Sequence, residues 1–89
     1  MYEKTNEVLK AIAHPVRIKI IKELYESPTC VCNLNKDIKY SQANLSKHLK
    51  ILKNANIVEC KKEGMYRYYK LTDEKVIEII NLAKEIAYK

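Results

Sequence analysis

Ser41-Gln42-Ala43-Asn44-Leu45-Ser46-Lys47-His48-Leu49-Lys50-Ile51-Leu52 is the stretch on which the reading of this chain turns. Leu45, Leu49 and Leu52 recur at the spacing of one face of a 3.6-residue helix. At 100° per residue, Gln42, Ala43, Asn44 and Lys47 then point away from the inner face, near the helix start, with His48 beside the leucines. Ser41 is a residue type that accepts hydrogen bonds from the free N–H groups of a first turn, so it marks where the helix begins. Asn54-Ala55-Asn56 ends it. The result is a helix with an apolar inner side and a polar, acid-free outer side.

Working outward, Leu34 and Ile38 place a short helix at roughly 31–38 (Val31 to Ile38), and Lys39-Tyr40-Ser41 connects it tightly to the next. Downstream the periodicity changes. Ile57 to Lys62 and Met65 to Leu71 are rich in tyrosine and β-branched residues and flank Glu63-Gly64, which reads as a β-hairpin. Two short helices on a three-residue turn, the second polar outside, form the helix-turn-helix pattern. A basic ribbon directly after it, with Lys61 and Lys62 before the turn and Arg67 and Lys70 after it, has the place of a wing. Its tip can reach a phosphate run or a minor groove, where Arg is favoured.

The outer side chains suit the reading of base edges. Gln42 and Asn44 can make paired bonds to adenine, Ala43 can approach a thymine methyl, and Lys47 reaches guanine or phosphate. Ser41, Ser46 and the free N–H groups of the first turn suit phosphate. The candidate DNA contacts are therefore Ser41, Gln42, Ala43, Asn44, Ser46 and Lys47 on the helix and Lys61, Lys62 and Arg67 on the wing.

The rest of the chain frames this unit. A first helix runs from about Tyr2 to Ala13 with Val8, Leu9 and Ile12 as its stripe. Pro15 opens a second, whose wide apolar face (Val16, Ile18, Ile20, Ile21, Leu24, Tyr25) suits the centre of a domain. His14, just ahead of it, has the place of a cap or packing residue. Ser27-Pro28 breaks that helix. Thr72 or Asp73 caps a last helix carrying Val76, Ile77, Ile79, Ile80, Ala83, Ile86 and Ala87. The expected fold is mainly α with a small β-hairpin, a winged helix-turn-helix in the order α-α-α-α-β-β-α, as one domain over residues 1–89.

Charge is unevenly placed. Of a net +6, residues 41–70 contribute seven basic and two acidic side chains, while residues 71–89 carry three basic and four acidic. A concentrated positive patch is the footprint of a polyanion binder. An odd cysteine count (Cys30, Cys32, Cys60) argues against a secreted disulfide framework. No apolar run reaches the length of a membrane span, and Met1-Tyr2-Glu3-Lys4 lacks the run of a signal peptide, so a cytoplasmic protein with no membrane association is expected.

Ala13-His14-Pro15-Val16-Arg17-Ile18 resembles the opening of the core helix in the arsenical-resistance repressor (ArsR) family of winged helix-turn-helix regulators. Cys30-Val31-Cys32-Asn33-Leu34 is similar to that family's metal-binding box, residues 41–52 to its recognition helix, and Glu63-Gly64 with Tyr68-Tyr69-Lys70-Leu71 to its wing. The resemblance covers almost the whole chain. It implies a homodimeric repressor whose first and last helices pack on their symmetry mates, here through Leu9, Val76, Ile79, Ile80, Ala83 and Ile86. The partner is double-stranded DNA with an imperfectly palindromic operator.

The resemblance also implies release from DNA by an effector, with no cofactor required. Cys30 and Cys32 are the candidate ligands for a soft metal or metalloid such as arsenite, cadmium or zinc. Thiol oxidation, or no small effector, are the alternatives. Residues two apart on a regular helix point about 200° apart, so one ion reaches both only if the helix start is distorted. Asn35 stands where arsenic-binding boxes often have a third Cys, and the last helix has no His for the family's C-terminal zinc site. Cys60 reads as a small buried hydrophobe. Nothing in the chain pairs a nucleophile with a base on one face, so no enzyme is expected. A winged helix used for protein contacts is the remaining rival, and the outward Gln42, Asn44 and Lys47 argue against it.

Overall fold

With one Gly and two Pro, the chain has few points at which a helix must stop. The computed structural model describes residues 2–26, 29–30 and 42–89. Helices α1 (Glu3–Ile12) and α2 (Pro15–Glu26) lead to β1 (Thr29–Cys30), followed by α3 (Gln42–Asn54), β2 (Val58–Glu63), β3 (Tyr66–Leu71) and α4 (Lys75–Ala87). Tyr2 and Ala13 are the caps of α1 rather than members of it. The short helix expected at 31–38 and the turn Lys39-Tyr40-Ser41 lie outside the described residues.

Helix α2 is the centre of the packing, as its wide apolar face predicts. Pro15 sits where a backbone N–H is not needed, and the Val16 N–H donates to His14 Nδ1 at 3.1 Å. Val16, Ile20, Ile21 and Leu24 are buried, and α2 touches α1, α3, α4 and β3. Leu45, Leu49 and Leu52 of α3 are 0–1% exposed, so the stripe that defined the helix is the stripe that fixes its roll on the core.

The end of α3 is set by Asn56, the one non-glycine residue with positive φ (62°) among those described. The Ile57 N–H donates to the Leu52 carbonyl (2.9 Å) and the Asn56 N–H to the Lys53 carbonyl (3.0 Å). This pair is the Schellman pattern, which satisfies the last carbonyls of a helix and favours Gly or Asn at the left-handed position. Ile57 and Leu52, both buried, supply its hydrophobic contact. Of the two expected caps of α4, Asp73 does the work, accepting from the Lys75 N–H at 2.9 Å. The Thr72 hydroxyl turns back instead, donating to the carbonyls of Asn56 and Ile57.

The sheet differs from expectation in two respects. It has three antiparallel strands in the order β1-β3-β2, because Thr29 and Cys30 pair with Tyr69 and Tyr68. A two-residue strand is too short for alternation to show. The hairpin turn lies at Gly64-Met65 rather than Glu63-Gly64, since Glu63 pairs with Tyr66. Gly64 has φ +60° while Met65 does not share a positive φ, the pattern of a II′ turn with Gly at its first central position. No described helix is long and apolar enough to cross a membrane.

Candidate nucleic-acid interface

The outer side of α3 is built as the leucine stripe requires. Ala43, Asn44, Ser46 and Lys47 are exposed, opposite the buried leucines. Gln42 opens the helix, and Ser41 lies outside the described residues. The first turn has no acidic residue, so nothing offsets the positive end of the helix dipole, which favours an incoming phosphate. Lys50 was not among the sequence candidates, yet it is exposed and lies about 20° from Ala43 in helical angle, on the side away from Lys47. Three residues on from Lys47, it extends the basic side toward the C-terminal half, and that spacing was its signal.

Strand register sorts the basic residues of the wing into different roles. Cross-strand partners share a face, and the face alternates along the strand. Lys62 stands directly opposite Arg67, on the face that holds the Cys60–Tyr69 and Val58–Leu71 pairs. Lys61, opposite Tyr68, is on the other face, as is Lys70, whose Nζ lies 3.0 Å from Glu59 Oε1. The three wing candidates are therefore split: Lys62 and Arg67 act together, Lys61 alone. Like charges opposite one another destabilise a hairpin, and among the described residues neither Lys62 nor Arg67 has an acidic partner to relieve it. A phosphate between them would.

Cys60 is half-buried rather than fully so. It stands directly opposite Tyr69 in the strand pair, with Arg67 two residues from Tyr69 on the same face. Burial first, then the Cys60 thiol, push the Tyr69 phenol up from its ordinary value, while Arg67 pulls it the other way. The effect ties the base of the wing to its charged tip.

Of the other cysteines, Cys30 belongs to a strand, opposite Tyr68, and not to a helix start as the sequence suggested. The 200° separation of helical neighbours therefore does not apply to it. Cys32 lies outside the described residues, and among the described residues no three His, Cys, Asp or Glu side chains gather as a metal would require.

The expected dimer residues divide as well. Val76 and Ile80 are buried in the chain's own core at 6% and 7% exposure. Leu9 (47%) and Ile86 (76%) are exposed, together with Leu82 and Tyr88; Ala83 is exposed and Ile79 half-buried. Leu9, Ile12, Ile79, Ala83 and Ala87 line an apolar groove of about 450 Å³ between α1, α2 and α4.

A helix with a polar, acid-free outer face, set beside a basic two-stranded ribbon on a small helical core, is the winged helix-turn-helix of DNA-binding proteins. Comparison with known proteins gives the family. Residues 14–59 match the model described as bacterial regulatory protein, arsR family. An uncharacterized HTH-type transcriptional regulator of Methanocaldococcus jannaschii is 43% identical over 86 residues, 96% of this chain and 97% of that protein. The arsenical resistance operon repressor of Bacillus subtilis is 39% identical over 77 residues, 85% of this chain and 73% of that protein. The solution structure of a homodimeric winged helix-turn-helix DNA-binding domain from Mycobacterium bovis, a possible ArsR-family regulator, has a TM-score of 0.84 at 26% identity. It covers 96% of this chain and 79% of that one. The chain belongs to the arsR family of bacterial regulatory proteins, which are DNA-binding transcriptional regulators and not enzymes.

Proposed function

We propose that this chain is a cytoplasmic, homodimeric repressor that holds an imperfectly palindromic operator and is released from it through Cys30 and Cys32. The observation that carries the DNA reading is the convergence of two basic, acid-poor surfaces: Ala43, Asn44, Ser46, Lys47 and Lys50 on α3, and the opposed pair Lys62 and Arg67 on the wing. Gln42 and Ser41 complete the helix start, and Lys61 flanks the wing from its other face. Residues 1–89 act as one domain. The exposed Leu9, Ala83 and Ile86 pair with those of a second copy, and Ile79 lines the same groove. A twofold dimer places its recognition helices one DNA turn apart, roughly 34–36 Å. The relatives named as a homodimer and as a repressor support this reading.

The test is fluorescence anisotropy with duplex from upstream of the gene, at several salt concentrations. Affinity should fall with salt at a log–log slope of about −0.9 per phosphate neutralised. Absence of any duplex binding overturns the DNA reading and favours a protein-contact module.

The effector site is tested on the complex itself. Soft thiolate ligands suit arsenite, cadmium or zinc, and one relative is named for arsenical resistance. Titrating the protein–operator complex with these ions, and separately with an oxidant, should release the DNA. Cys30→Ser and Cys32→Ser should each abolish that release while leaving affinity in the absence of effector unchanged. Release by oxidant alone points to thiol chemistry. Unchanged release in both variants removes the cysteines from the mechanism.

A further inference from the structure

The two histidines of the chain meet. His14, ahead of α2, and His48, on the inner flank of α3, have ring centroids 4.6 Å apart at an interplanar angle of 47°. The hydrogen bonding of His14 is specific to a neutral ring. His14 Nδ1 accepts from the Val16 N–H at 3.1 Å, which requires a bare lone pair on that nitrogen. His48 Nδ1 is buried and has no hydrogen-bond partner among the described residues, and neither does the neighbouring Arg17 Nε.

A neutral imidazole carries one N–H and one lone pair, but a protonated ring carries N–H on both nitrogens. Protonating His14 therefore sets an N–H against the Val16 N–H and removes the cap of α2. Protonating His48 buries a donor with no acceptor beside it, next to a guanidinium that can only donate. Either event also adds charge to a cluster that already holds Arg17.

We propose that His14 and His48 form a pH-sensitive latch between the central helix and the DNA-reading helix, closed when both rings are neutral and loosened when protons are added. Among the described residues, no hydrogen bond or ion pair compensates the added proton. From α2 the ring meets His14 and Arg17. From α1, Glu7 and Lys10 line the groove that Arg17 shares with Ile51 and Asn54 of α3. From β2, Glu59 is engaged by Lys70 on the sheet. Burial first, then His14 and Arg17, hold His48 below the ordinary imidazole range. The sign follows for His48: its contribution is present in full above about pH 6.5, the unperturbed imidazole value, and is lost as pH falls through that point toward the lower value of the folded state.

This proposal rests on α3 being the DNA-reading helix, and one half of its test does not. With only two histidines in the chain, imidazole titration belongs to these rings alone. Thermal unfolding without DNA should show the melting temperature falling between pH 7.5 and 5.5, and His48→Gln should flatten that profile. His14→Asn should flatten it in part, since it removes one of the charges that hold His48 down while Asn keeps a capping oxygen for α2. Operator affinity, at constant ionic strength, should fall as the pH drops below about 6.5, and fall less steeply in either variant. An affinity that holds or rises in acid overturns the latch, a rise being what added positive charge near DNA does by itself. The same pH slope in the variants as in the parent overturns it also. If one variant does not fold, the other carries the test. A protein that binds no duplex at any pH but still shows the histidine-dependent melting profile separates failure of the DNA reading from failure of the latch.

Discussion

Replacing Leu49 by Ala is expected to lower stability by about 2–5 kcal/mol, the range for deleting a buried leucine side chain. Leu49 is 1% exposed, at the middle of the stripe formed with Leu45 and Leu52. Those leucines hold α3 against α1, α2 and β2, and a cavity there removes contacts on three sides. A domain of this size has only about 5–15 kcal/mol to lose, so the midpoint of urea unfolding should shift strongly and DNA binding should fail with it. Ile51→Ala, at a position 41% exposed, is the companion measurement and should change stability by less than about 0.5 kcal/mol. A loss below about 1 kcal/mol for Leu49→Ala would show that α3 is held by something other than its leucine face.

Arg67→Glu should move stability and DNA affinity in opposite directions. Register puts residue 67 directly opposite Lys62, so the substitution turns a like-charge pair into an opposite-charge pair, worth roughly 0.2–1 kcal/mol in favour of the hairpin. The same change removes one phosphate contact and adds a repulsion. Operator affinity should fall about tenfold or more, with the magnitude of the salt slope smaller by about 1 to 2. Melting and anisotropy on the same preparation check both. Weakened binding accompanied by a lower melting temperature would mean that Arg67 acts through folding.

Most of the architecture was legible because two residue patterns are strong here. The leucine spacing in α3 and the change to a two-residue period at Ile57 each have one physical solution, and the end of α3 at Asn56 is announced by a residue that tolerates left-handed backbone. What escaped was of a different kind. β1 is two residues long and exists only because β3 offers an edge to pair with. The division of Lys61 from Lys62 and Arg67 depends on register, and the turn moved by one residue from where the glycine suggested. Val76 and Ile80 could not be told from Ile86 by periodicity, since all lie on one broad stripe of α4 and only the neighbouring elements decide which are covered. The contact of His14 with His48 spans 34 positions of sequence and has no local signature at all.

The strand order β1-β3-β2 leaves β2 at the rim of the described sheet. A free strand edge offers unpaired N–H and C=O groups to any other chain in extended form, and proteins commonly blunt such edges with charged residues, lysine above all. Glu59, Lys61, Lys62 and Glu63 occupy four of the six positions of β2. Lys61 and Lys62, proposed above to meet a nucleic acid, therefore also guard the molecule against self-association. Exchanging them for apolar residues would open a template for aggregation as well as weaken a contact, whereas glutamate keeps the rim charged.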